Sequence, residues 1–158
     1  MQKIEKDSSP RTPQAHEDVQ TTDVVIRSDA AWRQEDRKAG LAWTMQTTSV
    51  ILRMKQSSGH VASPLMAESL ALREAVLFCR NKGFASIRFE SDSAQLINAI
   101  KKNEAISELH GVLSDIRKLS SSVSPSCSFN WISRTQNVVC DSLAKEALCL
   151  VETFMPTT

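Results

Sequence analysis

The chain has 158 residues, enough for one ordinary domain but too few for two domains of full size. Nineteen Lys and Arg residues against 18 Asp and Glu residues give a formal net charge of +1, so no global field draws the chain to nucleic acid or to an anionic membrane. The apolar content of 41% is enough to fill one core and excludes a wholly disordered chain.

The N-terminal segment differs in amino-acid composition from the rest of the chain. Residues 1–22 contain one Ile, one Val and two prolines among charged and small polar residues, too little apolar surface to offset the entropy of ordering. We predict a disordered tail there. Three short apolar or alternating runs follow, and polar stretches such as RQEDRK separate them. These runs, VVIRSDAAW, GLAWTM and SVILRMKQ, predict three strands in a meander.

Helices and strands alternate in the remaining sequence. Ser63 and Pro64 predict the start of a helix, with Ser as the N-cap and Pro in the first turn. A strand (SIRFES), a short helix (DSAQLINAIKK), an amphipathic helix and a strand (CSFNWIS) come next, and the last helix begins near a cap at Asn137. This order predicts an α/β domain over residues 23–152, with helices packed on a mixed five-stranded sheet, and a C-terminal tail over 153–158.

The cysteines indicate packing rather than metal binding or disulfides. They form no CxxC pair, and the three histidines are widely separated, so the sequence contains no recognisable zinc-binding motif. Cys79 and Cys149 fall within apolar helical patterns, where a free thiol behaves as a small hydrophobe. The first thirty residues contain no signal-peptide core, and no run of about 18 apolar residues occurs. We expect a soluble, intracellular monomer with no membrane partner; the nucleus and the cytoplasm both stay open.

Two predicted helices carry a carboxylate within their apolar stripe. Glu68 lies within about 80° of Leu65 and Leu72 at 100° per residue, so it faces the sheet. Asp141 shares a helix face with Ala144 and is predicted to point inward in the same way. The alternative for each residue is an acid favoured by the helix dipole near the N-terminus and turned towards solvent.

Two further carboxylates end apolar strands. Asp29 follows VVIRS, and Asp92 follows IRFES, so both side chains are predicted to project towards a site at the edge of the sheet. The alternative for Asp29 is a turn residue, and the alternative for Asp92 is a helix N-cap.

Taken together, the four acids have a common physical use. Two carboxylates about 4 Å apart repel by about 4 kcal/mol at an effective dielectric constant of 20, so a convergent group of four needs protons or cations. Hard oxygen ligands favour Mg²⁺ or Mn²⁺. A pair of such ions is suited to in-line displacement at phosphorus, because one activates water and the other stabilises the leaving oxygen.

At these residues the sequence resembles the ribonuclease H family, and more closely its plant reverse-transcriptase-like branch. The segments that carry the resemblance are IRSDAAW, AGLAW, AESLALREAV, FESDSAQLINAI and FNWISRTQNVVCDSLAKEAL. They cover roughly residues 24–150, in the order and spacing of the family. The resemblance implies a ribonuclease H-like fold whose first three strands are antiparallel. It also implies an endonuclease that hydrolyses the RNA strand of RNA/DNA hybrids and leaves a 3′-hydroxyl and a 5′-phosphate.

The resemblance assigns the four acids to catalysis and to two Mg²⁺ (or Mn²⁺) ions. It implies that Asp29 bridges both ions, that Glu68 and Asp92 ligate the first, and that Asp141 holds the second. Candidate contacts to the nucleic acid are Arg134, Asn137, Lys101 and Lys102.

Each of these contacts has a simpler alternative. Lys and Arg residues near helix ends are more often solvated and favoured by the dipole than bound to phosphate. Trp32 and Trp43 flank the first hairpin, where they would stack on bases or pack inside, and aromatic residues on strands are more often core residues.

Three features depart from the family pattern. Ala30 stands where the family commonly has Gly, residues 133–140 contain no His, and no basic helical protrusion is evident. Many cellular members of the family have a His in the loop before the last acid, and in this chain Arg134 is the charged residue nearest to that place. A second hypothesis is therefore a catalytically weak or inactive ribonuclease H-like module that binds nucleic acid. A 3′ to 5′ exonuclease is the third hypothesis and ranks last. Such exonucleases have an Asp-x-Glu motif on the first strand, whereas two alanines follow Asp29 here.

Overall fold

The computed structural model describes residues 24–153, with side chains described through residue 150. Five strands form one sheet in the order β3-β2-β1-β4-β5. They are β1 (Val24–Arg33), β2 (Lys38–Gln46), β3 (Ile51–Ser58), β4 (Ser86–Ser91) and β5 (Ser126–Trp131). The first three pair antiparallel, whereas β4 and β5 run parallel to β1, so the predicted mixed sheet is confirmed. The two predicted tails lie outside the described residues, except that Thr153 ends the last helix.

Residues 24–153 contain four α-helices. They are α1 (Pro64–Phe78), α2 (Ala94–Lys101), α3 (His110–Val123) and α4 (Val138–Thr153). The predicted start of α1 is confirmed, because Ser63 Oγ accepts a hydrogen bond of 3.0 Å from the backbone nitrogen of Met66. In this part of the chain, no helix combines the length and apolar character that crossing a bilayer requires.

The helices cover both faces of the sheet, and β2 shows how the faces divide. Trp43 and Met45 join the main core with α1, α3, β1 and β4. Thr44, between them, turns to the other face, where its Oγ1 lies 3.7 Å from the Sγ of Cys140 on α4. The prediction that Trp43 is a core residue is confirmed, since it is 7% exposed.

Gly40 lets α4 lie close to β2. A Cβ atom at this position would overlap the carbonyl oxygen of Ala144 and would lie 2.6 Å from the backbone nitrogen of Leu148. The obstacle is helix backbone, which cannot rotate away as a side chain can. This close approach sets the position of α4 and therefore of Asp141 in its first turn.

The cysteines follow the packing prediction with one exception. All four are free thiols, and Cys79 and Cys140 are buried. Cys149 is exposed, so the prediction that it packs in an apolar stripe is wrong. The buried positions of α4 include Ala144 and Ala147, and the helical repeat turns position 149 away from that stripe.

Candidate functional site

Asp29 lies inside β1 rather than at its end, so the prediction of a strand-end residue and the turn alternative are both wrong. The strand continues to Arg33, and Asp29 pairs with Ala42 of β2. The parallel pairing of β1 with β4 stops one residue earlier, at Ser28 and Ser91. Asp29 therefore lies just beyond the carboxyl end of the parallel pair, where ligand sites of α/β sheets commonly form.

Asp92 and Glu68 converge on Asp29. Asp92 directly follows β4, and it is not the cap of α2, because Ser93 Oγ accepts the hydrogen bond from the Leu96 backbone nitrogen. Glu68 faces the sheet, as predicted: its Oε1 atom is buried and has no hydrogen-bond partner. One carboxylate oxygen from each of these three acids lies within 4.8 Å of the other two.

Asp141 lies on the same cleft but outside this group of three. It occupies the first turn of α4, and its side chain is 43% exposed. Its Oδ2 atom lies 3.0 Å from the Nζ of Lys145. The cleft has a volume of about 330 Å³, and besides the four acids it is lined by Ala30, Trp32, Pro64, Arg134 and Lys145. The structure thus brings the four predicted acids to one cleft, and three of them meet there.

Burial and mutual repulsion raise the pKa values of the three converging acids. Burial, and next the charge of Asp92, raise the pKa of Asp29 to about 6. Burial and then the charge of Asp29 raise the pKa of Glu68 well above its ordinary value. Burial also raises the pKa of Asp92, against the opposing effects of the Arg134 charge and a hydrogen bond from Asn137. Protons or cations therefore stabilise this group.

Removing the charge at Asp29 is expected to stabilise the metal-free protein increasingly as pH rises. Native Asp29 keeps its proton up to a pKa of about 6, whereas the ordinary pKa of an Asp side chain is 3.8. The native state therefore binds more protons between these values, and the stability it gains at low pH is lost as pH rises through about 6. The unfolding free energy of Asp29→Asn minus that of wild type should increase by on the order of 3 kcal/mol from pH 4 to pH 7.5.

Urea denaturation of both proteins in chelator, at several pH values, measures this difference. Taking the difference cancels the titration of carboxylates elsewhere in the chain. A difference that does not change with pH would contradict the raised pKa of Asp29.

Asn137 occupies the predicted N-cap position of α4, but its side chain neither caps the helix nor is open to substrate. It stands at the N-cap position, because its carbonyl oxygen accepts the first helical hydrogen bond from the Asp141 backbone nitrogen, but its side-chain oxygen has no partner. Its Nδ2 donates instead to the carbonyl oxygen of Ser28 at 2.9 Å. The residue is 1% exposed and so is not available for contact with substrate. It joins the start of α4 to the residue that precedes Asp29.

Asn137→Ala is expected to lower the free energy of unfolding by about 1–3 kcal/mol, because the buried Ser28 carbonyl loses its donor. Urea denaturation measures this loss. Val138→Ala is the matched control. Val138 is 57% exposed, so the free energy of unfolding of this variant should stay within about 0.5 kcal/mol of that of wild type. Equal stability of the two variants would show that the Asn137 hydrogen bond does not hold α4 against β1.

A buried ionic network also holds the turn before α4. Glu90 of β4 is 6% exposed and accepts hydrogen bonds from Arg27 Nε at 2.8 Å and from Arg88 Nε at 2.7 Å. Burial alone would raise the pKa of Glu90, but the two guanidinium groups outweigh it and hold the pKa below its ordinary value. Arg27 also donates to the carbonyl oxygen of Gln136 at 2.9 Å. The network therefore connects β1 and β4 to the turn that carries Arg134.

The predicted basic contacts fall into two groups. Arg134 lines the acidic cleft, and its charge opposes the rise in the pKa of Asp92. Lys101 and Lys102 are exposed at the far end of α2 from its Ser93 cap, roughly 12 Å along the helix at 1.5 Å per residue. They do not line the cleft.

Two residues at or beside the cleft, Lys145 and Trp131, are not predicted from the sequence. Lys145 was detectable, since its spacing of four residues from Asp141 places both on one face of a helix. Trp131 carried a weaker signal, its place at the end of a strand shortly before Arg134. Its indole Nε1 donates to the backbone carbonyl oxygen of Asp92 at 3.2 Å.

Comparisons with known proteins agree with this geometry. A family model described as reverse transcriptase-like matches residues 27–147, well over half of the chain. No curated protein sequence matches. The structure is similar to the N-terminal RNase H domain of a Mycobacterium tuberculosis protein, at 22% identity and a TM-score of 0.72 over 80% of this chain and 98% of that one.

Two further solved structures share the fold. RNase H1 from Halobacterium salinarum is 24% identical, with a TM-score of 0.73 over 80% of this chain and 97% of its own. LC11-RNase H1, in complex with an RNA/DNA hybrid, is 18% identical, with a TM-score of 0.71 over 82% of this chain and 99% of its own. The chain therefore has the ribonuclease H fold and belongs to the reverse transcriptase-like family.

Proposed function

We propose that this protein is a metal-dependent endonuclease that hydrolyses the RNA strand of RNA/DNA hybrids. The observation that carries the proposal is the acidic cleft. Carboxylate oxygens of Asp29, Glu68 and Asp92 lie within 4.8 Å of one another there, and Asp141 lines the same cleft. The substrate class is supported by LC11-RNase H1, which shares the fold and was crystallised with an RNA/DNA hybrid.

The residues of the cleft fit a hard divalent cation. The buried Glu68 Oε1 lacks a hydrogen-bond partner, and burial, together with repulsion between the neighbouring carboxylates, raises the pKa values of Glu68 and Asp29. Carboxylate oxygens are the ligands that Mg²⁺ and Mn²⁺ prefer. In the proposal, Asp29, Glu68 and Asp92 hold one ion, while Asp29 and Asp141 hold a second. Bound ions of this kind supply an activated water and charge stabilisation for displacement at phosphorus.

The protein itself orients the acids and binds the substrate backbone. The Ala30 backbone nitrogen donates to Asp29 Oδ1 at 2.9 Å and fixes the direction of that carboxylate. The small Ala30 side chain leaves space on the cleft wall for a nucleic-acid backbone. Arg134 offers a guanidinium group that can bind a phosphate through two parallel hydrogen bonds.

A second candidate function is binding of nucleic acid with weak or no turnover. The observation that favours it is the Lys145 ammonium group, 3.0 Å from Asp141, which compensates the charge of the carboxylate proposed for the second ion. The lack of a His in residues 133–140 points in the same direction, because members of the family commonly use one near this acid.

The test is cleavage of an RNA/DNA hybrid labelled separately on each strand, in Mg²⁺, in Mn²⁺ and in chelator. Single-stranded RNA, double-stranded RNA and duplex DNA of the same sequence are the controls. We expect cuts only in the RNA strand of the hybrid and only with metal. Cutting in chelator, or cutting of the DNA strand, would contradict the proposal. Binding of the hybrid without cutting would favour the second candidate.

A further inference from the structure

Trp131 is an exposed aromatic residue fixed beside the acidic cleft. Its side chain lies at the carboxyl end of β5, in register with Ser91, the residue before Asp92. It is 54% exposed, in contrast to the 7% of Trp43 in the core. The hydrogen bond from its Nε1 to the Asp92 carbonyl oxygen holds the indole at the base of α2.

The surroundings of Trp131 connect it to the cleft from two sides. Through its indole nitrogen it contacts the backbone of Asp92, one of the three converging acids. Along the chain, Ile132 is buried and its backbone nitrogen donates to the Ser91 carbonyl oxygen at 3.0 Å. The next residues lead directly to Arg134, which lines the cleft. One short segment thus carries both an exposed indole bonded to the Asp92 backbone and a guanidinium group that lines the cleft.

We propose that Trp131 is a nucleic-acid contact residue: its ring face packs on a sugar of the strand that enters the cleft, while Arg134 binds a neighbouring phosphate. This inference rests on the proposed function and names a residue that recognises its substrate. An aromatic face beside a cation is the combination with which proteins bind exposed nucleotides.

The hydrogen bond of the indole predicts what kind of contact Trp131 makes. Its only polar group is already bound to the Asp92 carbonyl, so the ring has no donor left for the edge of a base. The contact is therefore through the ring face, which can pack on a sugar whatever the base attached to it. Trp131 should contribute affinity with little preference for sequence.

The first experiment measures binding of a fluorescently labelled RNA/DNA hybrid by anisotropy in chelator, where metal-dependent cleavage cannot occur. Trp131→Ala should weaken binding about tenfold, and Trp131→Phe should stay within about threefold of wild type, because the ring is kept. Ile51→Ala is the matched control, since Ile51 is 58% exposed on β3, at the end of the sheet away from Asp29, and should bind as wild type does.

Salt dependence separates the contact of Trp131 from that of Arg134. Arg134→Ala should reduce the slope of log Kd against log salt by about one, as expected for one lost phosphate contact. Trp131→Ala should leave the slope unchanged while weakening binding at every salt concentration. If Phe weakened binding as much as Ala, the role of Trp131 would be to hold the Asp92 backbone, and the inference would be overturned.

Failure of this inference is distinguishable from failure of the nuclease proposal. Cleavage by wild type together with undiminished binding by Trp131→Ala would overturn the inference alone. Binding that depends on Trp131, without cleavage in any metal, would support the inference and contradict the nuclease. A wild-type protein that binds no nucleic acid would overturn both.

Discussion

Asp92→Asn is expected to abolish cleavage of the hybrid while the protein stays folded and gains some stability. The amide keeps the shape of the carboxylate but removes a negative ligand from the group of three acids. Because bound metal contributes several kcal/mol to such reactions, we expect the rate to fall roughly a thousandfold or more. Stability should rise, because burial and the charge of Asp141 both disfavour the ionised form of Asp92.

Single-turnover cleavage in Mg²⁺ and urea denaturation in chelator measure these two effects. Asp115→Asn is the matched control, since Asp115 lies on α3, is 51% exposed and pairs with Arg73 away from the cleft. It should cut as wild type does. Undiminished cleavage by Asp92→Asn would refute the assignment of the site.

Gly40→Ala is expected to be strongly destabilising. The added Cβ overlaps the carbonyl oxygen of Ala144, and relief requires a shift of α4 as a whole. We expect a loss of about 3 kcal/mol or more in the free energy of unfolding, at the upper end of the cost of overpacking. Cleavage should fall as well, because α4 carries Asp141.

Urea denaturation of glycine-to-alanine variants separates this effect from a general one. Gly111 lies in α3 with no heavy atom near the added Cβ, so Gly111→Ala should stabilise the protein by up to about 1 kcal/mol. Gly59 also has open space around it and should tolerate alanine. If Gly40→Ala were as stable as wild type, α4 would not depend on this close approach.

Local signals account for the part of the fold that sequence could predict. The Ser63 cap marks the start of α1, and alternating residues mark the strands, because these features depend on neighbours within a few positions. The inward direction of Glu68 followed from helical spacing in the same way, and its buried Oε1 agrees. The roles of the four acids in catalysis stay predictions that the cleavage experiments test.

Long-range contacts account for what sequence could not predict. Asp29 is predicted at the end of its strand, but β1 continues to Arg33, because the residues after Asp29 still pair with β2 although the pairing with β4 has ended. Asn137 has the residue type of a cap, but its amide is used by Ser28, which is 109 positions away. No local pattern reveals such a partner, and the same limit applies to the contact of Trp131 with Asp92.

The four acids lie on separate elements, and a bound cation is therefore expected to affect the folding and unfolding rates differently. They come from β1, α1, the end of β4 and α4, so the cleft exists only once distant parts of the chain have docked. A cation that needs the completed cleft stabilises the native state without stabilising a transition state in which α4 is still undocked. Added Mg²⁺ should therefore slow unfolding and leave the folding rate nearly unchanged. On this view, metal prolongs the lifetime of the folded chain more than it hastens its formation.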